Sequence, residues 1–138
     1  MISMALSGSA ACSGPSDPAT IARAGIEAQT RAWNSGDLDG AMESYCPSTD
    51  ITWVNAKGVT RGYKDFAESM QAEFGAEPAM MGVLSNEVID IRAIGEDSSL
   101  VVLDWSIMRD GEKLMGGVST QLWSACQGRM RIVFEHAS

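Results

Sequence analysis

The sequence is short of basic residues, histidine and long apolar runs. Ten lysines and arginines stand against eighteen acidic residues, for a formal net charge of −8, and there is a single histidine. With no basic stripe to neutralise phosphates, the chain has no electrostatic footprint for nucleic acid. The same balance argues against an anionic membrane surface, and no apolar run approaches the ~20 residues that cross a bilayer. One histidine without clustered carboxylates is a poor metal-ligand set, so no metal and no cofactor is expected. Cys12, Cys46 and Cys126 have neither metal-site spacing nor a framework pattern, and they read as buried or idle thiols. There is no glycine-rich phosphate loop and no serine-nucleophile elbow.

What is present reads as one α+β domain. At 138 residues the chain can bury a core without staples. Residues 1–18 differ in kind from 19–138, being small, polar and rich in Ser, Ala and Gly. Met4 to Cys12 resembles the tail of a bacterial lipoprotein export signal, although Ser9 stands where such signals prefer leucine and a basic leader is missing. The other reading is an N-terminal arm, so an exported and a cytoplasmic location both stay open.

Helical spacing runs from Ile21 to Trp33, with Thr20 as candidate cap. Asn34-Ser35-Gly36 stops it, Gly36 supplying the left-handed conformation and Asp37 capping a second, short helix. Ile51 to Val54 has strand composition, Asn55-Ala56-Lys57-Gly58 turns it, and Val59 to Arg61 pairs back. A third helix covers Tyr63 to Phe74, where Phe66, Met70 and Phe74 form a core stripe. Four long strands follow: Met81 to Ile94, Ser98 to Arg109, Lys113 to Ala125, and Arg129 to Ala137. The hairpin signals between them predict an antiparallel meander. The expected architecture is a strongly curved, cone-shaped antiparallel sheet of four long and one or two short strands, wrapped by three helices from the N-terminal half.

Alternation sorts the strands into faces. Val101, Leu103, Trp105 and Ile107 point one way and Val102, Asp104 and Ser106 the other. On the last strand, Met130, Ile132, Phe134 and His136 oppose Arg131, Val133 and Glu135. On the fifth, Val118, Thr120 and Leu122 oppose Ser119, Gln121 and Trp123, and composition does not choose between these two sets.

The corner Asn34-Ser35-Gly36-Asp37-Leu38-Asp39-Gly40, Arg61-Gly62-Tyr63 opening the third helix, the run of long strands, and the closing stretch from Arg131 to Ser138 carry a resemblance. Together they resemble the nuclear transport factor 2-like superfamily, with its cystatin-like fold, nearest to SnoaL-like proteins and ketosteroid isomerases. The resemblance covers residues 19–138. It implies a cavity inside the cone and puts the Thr120 set within it. The ligand-lining candidates are then Gln29, Trp33, Val54, Asn55, Leu103, Trp105, Val118, Thr120, Phe134 and His136. It also implies sheet-to-sheet homodimers, here through Val102, Asp104, Gln121, Trp123, Arg131 and Val133.

The isomerase acid–base positions of that family fall at Gln29, at Val54 or Asn55, and at Thr120, none of them acidic, so its enolate chemistry is not expected. His136 is the one catalytic candidate, with Asp50 as a conceivable partner. Three functions stay open: a binding protein for a small apolar or amphipathic molecule, an acid–base lyase or isomerase using His136, and a dimerisation or interaction module.

Overall fold

The structure, a computed structural model, describes residues 17–138; the expectations for the N-terminal arm fall on residues outside that range. Helix α1 (Pro18–Asn34) begins at Asp17, whose carboxylate accepts from the Ala19 and Thr20 amides, with Pro18 in the first turn. Thr20 is therefore not the cap; its hydroxyl donates to Asp17 at 2.7 Å. Aspartate wins because Pro18 follows it directly and is favoured at the first helical position. The helix buries Ala22, Ile26, Gln29 and Trp33 on one stripe. Gly36, at φ 80°, closes it, and Asp37 caps α2 (Leu38–Met42) by accepting from the Gly40 amide at 2.9 Å.

A hairpin, β1 (Thr52–Asn55) and β2 (Gly58–Arg61), precedes α3 (Tyr63–Phe74). Then come β3 (Val83–Ile94), β4 (Ser98–Arg109), β5 (Glu112–Cys126) and β6 (Arg129–Ala137). The six strands form one sheet in the order β2-β1-β6-β5-β4-β3. Every pairing is antiparallel except β1 with β6. Asp110-Gly111 and Gln127-Gly128 make two-residue hairpins with positive φ at both residues, the backbone twist that matches paired strands. Among the described residues no helix is long and apolar enough to cross a membrane.

Three bulges bend the sheet. Ile89 is the extra residue on β3, Leu114 on β5 and Val133 on β6, each breaking the register with its neighbour. A bulge sharpens local twist and reverses the facing of everything beyond it. The core lies between the concave face and the helices. Trp33, Phe66, Phe74, Leu103, Ile107, Trp123 and Ile132 are all buried there. Gly25 on α1 lies directly against the Trp123 ring, where a Cβ would overlap it.

The cysteine expectation needs correcting. Cys46 and Cys126 form a disulfide, with Cα atoms 5.9 Å apart. Their separation of 80 residues shows no framework pattern; the fold itself brings them together. The Cys46 amide donates to the Ile132 carbonyl at 2.9 Å, and Tyr45 forms a parallel bridge with Ile132, beside the end of β5.

Candidate functional site

The concave side of the sheet encloses a cavity of about 220 Å³. Its walls come from every layer: Gln29 and Trp33 from α1, Tyr45 after α2, Phe74 from α3, Trp53 from β1, and Leu103 and Trp105 from β4. These side chains project inward because each sits on the buried parity of its element. Lys57 and Glu73, both exposed, also border it.

One carboxyl group lies in this apolar setting. Glu135 on β6 is buried. The Tyr45 hydroxyl donates to its Oε1 at 2.7 Å and the Gln121 amide to its Oε2 at 3.1 Å. Gln121 in turn accepts from the Trp123 indole at 2.8 Å, so the donors run in one direction and end on the carboxylate. Burial pushes the Glu135 carboxyl above its ordinary range, opposed by hydrogen bonds from Tyr45, Gln121 and Ser119. Burial, and then the nearby Glu135 charge, holds the Tyr45 phenol well above its ordinary value. Neither ion pair among the described residues, Lys64–Glu68 or Arg92–Asp90, involves Glu135.

Half of the expected lining is here: Gln29, Trp33, Asn55, Leu103 and Trp105 border the cavity. Gln29 donates to the Ala41 carbonyl. The Trp105 indole N–H, close to Gly117, is buried without a partner among the described residues. The other half is corrected. Val54, Val118, Thr120, Phe134 and His136 lie on the convex face, the register pairing Thr120 with His136 and His136 with Val54. On β5 the buried set is Ser119, Gln121 and Trp123, opposite to the face the resemblance assigned. On β6 the bulge at Val133 turns Glu135 and Ala137 inward and sends Phe134 and His136 outward. His136 is exposed and does not border the cavity, so the acid–base reading that needs it inside the cone does not fit.

The same reversal touches the interface set. Gln121 and Trp123 are buried under the helices and belong to the interior. Val102 and Asp104 do face outward, as does Arg131, while Val133 is the bulge residue itself. Tyr45, Trp53, Ser119, Gln121 and Glu135 are among the cavity residues that sequence reasoning did not place there. The single acidic residue of the last strand was the signal for Glu135, but strict alternation hid it. Among the described residues no group of three or more His, Cys, Asp or Glu side chains comes together in a metal-binding arrangement.

A bent sheet with one flank covered by helices, and a cavity between them, defines the chain as a cystatin-like α+β fold. More particularly, it is an NTF2-like fold, as solved structures indicate. An NTF-2-like protein of unknown function from Shewanella oneidensis superposes with a TM-score of 0.81 at 22% identity, covering 88% of this chain and 98% of that one. An NTF2-like protein of unknown function from Pseudomonas putida gives 0.67 at 19% identity, over 87% and 84%. A Caulobacter vibrioides protein with a cystatin-like fold gives 0.61 at 23% identity, over 88% of each chain. No protein-family model matches the chain, and no curated protein matches it by sequence.

Proposed function

We propose that this chain is a binding protein for a small, largely apolar molecule held in the concave cavity. The observation that carries this reading is the cavity itself, about 220 Å³ and bordered by three of the four tryptophans. An engineered apolar cavity of about 150 Å³ holds benzene, so this one suits a molecule on the order of ten heavy atoms. Apolar walls with a few fixed polar groups are the usual make-up of a small-molecule site. The interaction-module reading would leave such a space filled by the chain's own side chains.

The test uses three aromatic probes of similar size and different charge: neopentylbenzene (neutral), benzyltrimethylammonium (cationic) and phenylacetate (anionic). Calorimetric titration should find at least one bound at one molecule per chain. Met115 on β5 borders the cavity, and Met115→Trp, which adds a ring to that wall, should weaken the binding at least tenfold while the protein stays folded by circular dichroism. No binding by any of the three, or binding indifferent to Met115→Trp, contradicts the reading.

The chain also works, in this proposal, as a two-fold homodimer joined through the convex sheet face. Leu100, Val102, Leu122 and Phe134 stand half-buried there, and Val118 is 43% exposed. An apolar face of this kind is covered most economically by its own copy.

A further inference from the structure

Resting on the cavity-binding reading, we infer that the ligand is an organic cation, a protonated or quaternary amine, whose charge is recognised by Glu135 within an aromatic enclosure. Three independent features of the molecule converge on this chemistry.

The first is an uncompensated negative group. Glu135 is buried, borders the cavity and, among the described residues, has no basic side chain within ion-pair distance. Buried carboxylates are ordinarily paired, because desolvating an unpaired charge is costly. The groups that hold it, Tyr45 and Gln121, are neutral donors. They orient the carboxyl group and bring no positive charge to it. Lys57, the basic residue on the cavity, is exposed and forms no ion pair among the described residues, and Glu73 borders the same cavity with the opposite sign.

The second is the wall. Trp33, Trp53, Trp105, Tyr45 and Phe74 all border the cavity. Ring faces carry negative charge density and attract cations, tryptophan most strongly, and the attraction grows when water is excluded. An anionic ligand would be repelled by a charged Glu135. A neutral ligand would use the apolar area alone and leave the carboxylate unpaired.

The third is the field of the whole chain. A net charge of −8 raises the local concentration of cations and speeds their arrival. Without Glu135 this would be a general property of an acidic protein. With it, the attraction has a fixed end point inside the cone.

The experiment compares benzyltrimethylammonium with neopentylbenzene, which has the same shape with carbon in place of the charged nitrogen, and with phenylacetate. The unmodified protein should bind the cation at least tenfold more tightly than the neutral isostere, and phenylacetate most weakly. Glu135→Gln should abolish that preference, lowering cation affinity at least tenfold while leaving the isostere unchanged. If Glu135→Gln does not fold, Trp53→Leu serves instead, since removing one ring should weaken the cation more than the isostere. Tighter binding of the neutral or anionic probe overturns the inference while the cavity-binding reading survives. Binding of none of the three overturns both. A preference for the cation that persists undiminished in Glu135→Gln assigns it to the surface charge and also overturns the inference.

Discussion

At the scale of the residue, Gly25 and Glu135 each set a constraint that can be tested. Gly25 lets α1 approach the Trp123 ring, and any side chain at that position must displace the ring or the helix. Tight packing makes such an insertion costly, so Gly25→Ala should destabilise the protein by ~1–3 kcal/mol in denaturant titration, despite alanine's better helix propensity. Glu135 makes a prediction about pH. Its carboxyl is raised above the ordinary 4.5 by burial, so the folded state keeps a proton that the unfolded state has already lost. This residue therefore favours folding in acid, and its contribution declines as pH rises from 4.5 through its folded-state value. Tyr45, held well above 10.0, does not titrate in that window, and Lys57 and Glu73 are the other charged groups bordering the cavity. The stability of Glu135→Gln relative to the unmodified protein should then increase across the same window. A difference that is flat with pH would show that Glu135 titrates normally.

At the scale of the element, the bulges decide what the sequence could say about the site. The helix corner at Gly36-Asp37, the hairpins at Asp110-Gly111 and Gln127-Gly128, and the four long strands were legible because each has a local chemical cause. The facing of β4 was legible too, since Val101, Leu103 and Ile107 alternate without interruption up to its end. Facing on β6 was not. One extra residue at Val133 exchanges inward for outward, and no residue type there signals it, because valine suits a regular strand equally well. The disulfide was illegible for a different reason, since pairing of Cys46 with Cys126 depends on β6 lying beside the segment that follows α2. That bond now ties this segment to the end of β5. With 80 residues between its ends, it should contribute ~4 kcal/mol by restricting the unfolded chain. Reductant should lower the denaturant midpoint accordingly, and Cys46→Ser should match the reduced protein. An equal midpoint with and without reductant would show that the bond adds nothing.

At the scale of the whole molecule, the sheet separates two jobs. Its concave face carries the cavity, while its convex face carries Val118, Thr120, Phe134 and His136. If that outer face joins two copies, light scattering should give twice the 14.7 kDa of one chain, and Val118→Asp should reduce it to the monomer mass. The charge of −8 on each copy opposes association, so the dimer should tighten with added salt, which screens beyond about 8 Å at 0.15 M. A monomer at micromolar concentration in the unmodified protein would contradict this assembly.

The two faces also separate the most direct test of the cavity as the ligand site. In a nitrogen-15 spectrum, the indole signals of Trp33, Trp53 and Trp105 report on the cavity, whereas the ring of His136 and the amide of Thr120 report on the convex face. Titration with benzyltrimethylammonium should shift the three indole signals along one saturating curve and leave His136 and Thr120 where they were. Shifts confined to His136 and Thr120, or no saturating shift at all, would contradict the account.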